Sequence, residues 1–173
     1  TASFGGVDVI VNNAGFSHRS TPLVELPEEE YDRVFDTNTK GVYLGAVHGV
    51  PHLRARGGGS IVNTASIGAV RPRPNLTAYN ATKAGEIHLM RGWAMELGGD
   101  GIRVNCVIPG QVATARQVAD ILTPEYKRYL MERQCLPDVI QPADIAQLAL
   151  FLGSDVSQMC TRRNFFMDAG IGA

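Results

Sequence analysis

Short β-branched runs alternate with helix-length segments along the whole chain, and this alternation restricts the fold more than any other feature. The first run, residues 7–11, is stopped by Asn12-Asn13-Ala14-Gly15. Pro27 followed by Glu28, Glu29 and Glu30 marks a helix start. Tyr31, Val34, Phe35 and Asn38 follow at helical spacing, and the pattern runs to about residue 56, where three glycines end it. A second strand is expected over 60–64, a long helix over 77–97 with Gly98-Gly99 as its C-cap signal, and a third strand over 102–107. Helices follow near 112–122, 124–135 and 142–152, and a last strand over 164–167. Strands separated by helices of this length are joined by crossovers, so the sheet should be parallel with helices on both faces. The fold class expected is therefore α/β, a doubly wound parallel sheet, with one domain over 1–173. Ligands of such a sheet sit beyond the carboxyl ends of its strands.

Bulk properties narrow the function. Sixteen basic and seventeen acidic residues give a net charge of -1, which argues against nucleic acid or an anionic membrane as partner. No window is apolar enough for a transmembrane helix, and the first residues show no secretory signal. Cys106, Cys135 and Cys160 are odd in number and widely spaced, so free thiols and a reducing cytoplasm are expected. His48 and His52 have metal-ligand spacing, but Pro51 intervenes and no third ligand is evident. His18 lies in a loop near the cleft mouth, where it could touch substrate, but a solvated loop histidine is the plainer reading; Met90, Trp93 and Met95 read as core or subunit interface.

The residues that carry chemistry centre on Tyr79 and Lys83. Their i,i+4 spacing sets phenol and ammonium on one helix face. A phenol titrates near ~10, and a neighbouring ammonium stabilises the phenolate enough to make it a usable acid/base near neutrality. Chance alone would produce such a spacing in about 9% of chains of this composition, so the pair is weak by itself. Ser66 follows the second strand, where a bound ligand would rest, and its hydroxyl could orient a substrate oxygen; a serine capping a turn is the plainer reading.

These residues and their neighbours resemble the classical short-chain dehydrogenases/reductases, from end to end. Asn12-Asn13-Ala14-Gly15 resembles the family's NNAG element. Asn38, Ser66, Tyr79 and Lys83 match its catalytic tetrad. Pro109-Gly110-Gln111-Val112-Ala113-Thr114 resembles its PGxVxT segment, and 141–146 followed by Phe151-Leu152 its last helix. The resemblance implies a Rossmann-like fold, NAD or NADP as cofactor, and hydride exchange between a secondary alcohol and a ketone. It implies that Tyr79 moves the proton and that Lys83 lowers the tyrosine pKa and bonds the nicotinamide ribose. Ser66 would orient the substrate oxygen, and the Asn38 carbonyl would act on a relay water. Cofactor contacts are implied for Asn12, Ala14, Gly15, Tyr79, Lys83, Pro109, Gly110, Val112 and Thr114. The partner would be a small alcohol or ketone, and the oligomer a homo-dimer or homo-tetramer.

The family's glycine-rich turn after a first strand has no counterpart here. Gly57-Gly58-Gly59 ends a helix where that turn would open one. The chain begins at Thr1 and enters a strand almost at once, so the domain is expected to be N-terminally incomplete, to bind cofactor poorly alone, and to expose the edge of its first strand. The alternative to an oxidoreductase is a catalytically silent fragment with a structural or interaction role. A nucleotide-sugar epimerase would share the Tyr79/Lys83 spacing, but not the NNAG and PGxVxT segments.

Overall fold

The computed structural model describes residues 3–172. Four strands, β1 (Val9–Asn12), β2 (Gly59–Thr64), β3 (Ile102–Pro109) and β4 (Asn164–Met167), pair in parallel in the order β1-β2-β3-β4. The helices are α1 (Glu28–Phe35), α2 (Gly41–Ala55), α3 (Thr77–Leu97), α4 (Ala115–Asp120), α5 (Pro124–Met131) and α6 (Pro142–Gly153).

Alternation along the inner strands divides the core into two layers. Ile61 on β2 and Val104, Cys106 and Ile108 on β3 face Leu53 of α2 and Ile87, Met90, Ala94 and Leu97 of α3. Val62 and Val107 point to the opposite face, against Leu152 of α6. Both faces of β2 and β3 are thus covered, as a parallel sheet requires. At the rim, β1 is an edge strand, and Val9 and Val11 are 38% and 47% exposed.

Several boundaries differ from the sequence reading. The long helix expected from Pro27 to about residue 56 is interrupted by a π-helical turn, Asp36–Lys40, closed by the Gly41 N–H donating to the Asp36 carbonyl. Pro51 lies inside α2 without ending it. The left-handed residue after α3 is Gly101, with φ 71°, not Gly98 or Gly99, because a 3-10 turn extends the helix. Residue 112 is not helical, since Val112 forms a bridge with Ile140. Helix α5 stops at Met131, beyond which Cys135 and Leu136 donate their N–H groups to the Ala169 carbonyl. Met90 is buried and Trp93 packs against that core, whereas Met95 is 67% exposed and is no part of it.

Glycines set two close approaches. Gly45 and Gly49, one turn apart on α2, lie so near Asn12 and Ile10 of β1 that a Cβ would overlap those side chains. Gly59 enters β2 at φ 151°, and a Cβ there would stand 2.5 Å from the Asp8 carbonyl oxygen and 2.8 Å from Leu53 Cδ2. Backbone cannot yield as a side-chain end can. Gly59→Ala should therefore lose about 2 kcal/mol or more of stability, from backbone strain and overpacking together; a urea unfolding midpoint equal to that of the parent would refute this.

Candidate active site

The carboxyl ends of β1, β2 and β3 open onto one cleft of about 910 Å³. Its walls bring together Gly15, Ser66, Tyr79, Lys83, Pro109, Gly110, Val112 and Thr114, all expected from the sequence. Asn12, Ala14 and Asn38 are not on its lining. Asn12 instead donates its side-chain amide to Asn63 Oδ1 at 2.9 Å, tying the end of β1 to β2.

Asn38 is fully buried in the π-helical turn. Its side chain brackets the loop after β1: Oδ1 accepts from the Phe16 N–H at 2.8 Å, and Nδ2 donates to the Phe16 carbonyl at 2.9 Å. The same Nδ2 donates to Thr82 Oγ1 at 3.0 Å, and that hydroxyl donates to the Tyr79 carbonyl at 2.7 Å. Asn38 thus joins the loop to the helix of Tyr79, and is not a residue bonded only to its own backbone. Gly15 lies beside this closure: a Cβ there would meet Lys83 Nζ at 3.4 Å and Asn38 Oδ1 at 3.5 Å, ordinary contact distances.

Ser66 caps a short 3-10 turn by accepting from the Gly68 N–H at 3.1 Å. Accepting one bond leaves its O–H free to donate, so capping and substrate contact are compatible. Tyr79, in the first turn of α3, is half-buried on the cleft wall. Thr114 caps α4 through the Gln117 N–H and likewise keeps a free hydroxyl donor. Gly110 is required where β3 meets the segment after β4, since a Cβ would stand 2.9 Å from Asp168 Cα.

Two residues depart from the sequence reading. Lys83 Nζ donates to the Thr64 carbonyl at 2.8 Å and to Glu86 Oε1 at 2.7 Å, with both side chains almost wholly out of solvent. Glu86 Oε2 has no partner among the described residues. Burial pushes the Glu86 carboxyl up to about 7, against the opposing pull of Lys83. The charge that Lys83 presents to the cleft is therefore offset by Glu86 when that carboxyl is ionised, and undiminished when it is protonated. Glu86 was legible in principle: it lies three residues from Lys83, on the same stripe as the buried Ile87 and Met90. The second is His18, expected in solvent but 3% exposed. The loop that Asn38 holds folds it inward, where Nδ1 lies 2.6 Å from the Arg19 carbonyl and the ring lines the cleft. Of the three free thiols, Cys106 is buried and its ionisation pushed up by that burial. Among the described residues no group of three His, Cys, Asp or Glu side chains could hold a metal, and no helix is long and apolar enough to cross a membrane.

Comparison with known proteins agrees with this fold. The family model described as Enoyl-(Acyl carrier protein) reductase matches residues 1–172. A short-chain type dehydrogenase/reductase from Mycobacterium ulcerans superposes with a TM-score of 0.95 at 31% identity, over 99% of this chain and 62% of that one. The chain belongs to the short-chain dehydrogenase/reductase family. It is 37% identical over 173 residues to 4-formylbenzenesulfonate dehydrogenase of Comamonas testosteroni, spanning 98% of this chain and 68% of that protein. The 3-ketoacyl-(acyl-carrier-protein) reductase of Brucella melitensis, complexed with NADH, superposes with a TM-score of 0.90 at 33% identity, over 99% of this chain and 70% of that one. The chain thus spans about two thirds of the length of such family members.

The raised carboxyl of Glu86 has a consequence for stability. A carboxyl whose folded pKa lies above its ordinary 4.5 contributes stability that is complete below about pH 4.5 and is lost as pH rises through about 7. The loss should be on the order of 3 kcal/mol. Glu86→Gln, which cannot titrate, should flatten the profile of unfolding free energy against pH across that window; an unchanged slope would contradict the assignment.

Proposed function

We propose that this chain carries the catalytic end of an NAD(P)-dependent oxidoreductase that interconverts a secondary alcohol and its ketone. One observation carries the reading: Tyr79, Lys83 and Ser66 converge on a single cleft at the carboxyl ends of a parallel sheet, and the serine hydroxyl still has a proton to donate. Family membership supports the same class of reaction.

The residues present fit a nicotinamide cofactor. Thr114 and Lys83 offer donors on the lining of the cleft, and Gly15 adds no side chain beside them. Lys83, Tyr79, Thr114, the Val112 backbone, Asn13 and Gly15 would hold it. When bound, the cofactor supplies or accepts the hydride. In the oxidising direction Tyr79 Oη takes the proton of the alcohol, and in the reducing direction it returns one to the ketone oxygen. The Lys83 ammonium, held by Thr64 and Glu86, lines the same cleft as Tyr79 and has a third N–H left to donate. The Ser66 O–H donates to the substrate oxygen and fixes it toward Tyr79. Asn38 holds the Phe16 loop and α3 in register, so these groups stay aligned.

Tyr79→Phe removes the proton carrier alone. In the intact protein kcat should fall about 10²–10⁴-fold, while cofactor affinity measured by fluorescence titration stays within experimental error of the parent. Full activity in that variant would exclude the role given to Tyr79. Lys83→Ala should weaken both turnover and cofactor affinity. No turnover of any secondary alcohol or ketone by the intact parent would instead favour a silent structural module. The exposed Tyr43, Leu44 and Val47 on α2 are consistent with a homo-dimer or homo-tetramer.

A further inference from the structure

The site is far more positive than the chain that builds it. Net charge is -1 overall, yet the cleft is lined by Arg19, Arg73, Lys83 and Arg116, with Asp120 as its one carboxylate. Lys83 is offset by Glu86, and Arg116 stands 3.9 Å from Asp120. Arg73 has no carboxylate partner among the described residues.

Arg73 also belongs to a second cavity, of about 610 Å³, that shares Ile67, Gln111 and Tyr126 with the cleft and so continues it outward. Two more arginines, Arg71 and Arg133, line this extension, and no acidic side chain does. Arg71 donates to the Ile171 carbonyl, and Arg73 donates to the Tyr126 hydroxyl at 3.1 Å. Each guanidinium has five N–H donors in a planar fork, so both keep several for an anion. Arg133 lies over the Tyr129 ring at 3.8 Å and is partly occupied by Glu132. Apart from Gln111, the remaining walls are apolar or aromatic, with Leu130 and the stacked Tyr126 and Tyr129 rings.

None of the residues read as cofactor contacts lines this extension, so its charge is not accounted for by the anionic cofactor. Arginine forks match carboxylates bidentately, and a cavity with one sign of charge concentrates ligands of the other. We propose that the substrate carries a carboxylate at the end remote from its reacting carbon, bound by Arg71 and Arg73, with an apolar body lying along Tyr126 and Leu130. The proposal rests on the oxidoreductase reading for the position of the reacting carbon, and names the class of substrate for that reaction.

The test compares three keto acids of increasing reach, 4-oxopentanoate, 6-oxoheptanoate and 8-oxononanoate, each with its neutral methyl ester. The intact protein reduces them with NADH or NADPH. At one length or more, kcat/KM for the acid should exceed that for its ester by about tenfold or more. Arg71→Gln with Arg73→Gln should bring this ratio toward one, and Arg73→Lys should restore part of it. Added salt should shrink it. Turnover with acid and ester equal at all three lengths, or a ratio unchanged in the double variant, would overturn the carboxylate site and leave the oxidoreductase reading intact. If no ketone is reduced at all, that reading fails, and the anion site is judged separately by thermal shift. The keto acids should then raise Tm in the parent, with neither the esters nor the double variant showing the effect; no such shift would overturn the proposal.

Discussion

An ammonium held out of solvent at the end of a β-strand is the constraint on which the rest of the site depends. Lys83 reaches from α3 to the last carbonyl of β2 and is neutralised from its own helix by Glu86. Burying two opposite charges costs several kcal/mol for each, and the cost is offset only while the pair and its hydrogen bonds remain together. Sliding α3 along the sheet by a single turn would carry Glu86 along with Lys83 but would take the ammonium off the Thr64 carbonyl and leave a buried donor without its acceptor. The bond to Thr64 therefore fixes the register of α3 against β2, and Tyr79, one turn earlier on the same helix, inherits its place on the cleft wall.

Around this fixed point the strand ends are gathered by short polar side chains. Asn12 ties β1 to β2 through Asn63, and Asn38 ties the following loop to α3 through Phe16 and Thr82. Gly110 lets β3 run close under the segment that follows β4. Asn38 satisfies the backbone N–H and carbonyl of Phe16 just beyond β1, groups that no strand pairs there, and the cleft is the space these closures leave open.

Much of this arrangement could be read before any coordinates. The helix Thr77–Leu97 and the strand Asn164–Met167 fall where the sequence pattern put them, because long helical patterns and short apolar or aromatic runs are local signals. Tyr79, Lys83 and Ser66 meet in the cleft for the same reason: their spacing is set by one helix and one strand end. What was not legible came from contacts distant in sequence. Nothing in Asp36 to Lys40 announces a π-helical turn; it accommodates the bonds of Asn38 to a loop 22 residues away. His18 looked exposed because a loop residue with polar neighbours usually is, and only that same closure buries it. Glu86 was visible as a letter but not as a buried charge, since its burial depends on how α3 meets β2.

The π-helical turn also bears on how this chain can vary in length. It fits one more residue between α1 and α2 than regular helical bonding would. Because that residue is taken up inside the turn, the helix beyond it keeps its face: Gly45 and Gly49 touch β1, and Val42, Ala46 and Val50 stay in the interior. Deleting one residue from 36–40 would let the backbone close into regular α bonding with α2 still seated on the sheet, and what would be lost is the widened turn from which Asn38 reaches the Phe16 loop. The same deletion inside α2, where the bonding is already regular, would rotate every later side chain by about 100° and carry Gly49 off the face that touches β1. The turn is thus slack in the chain, spent on one buried asparagine.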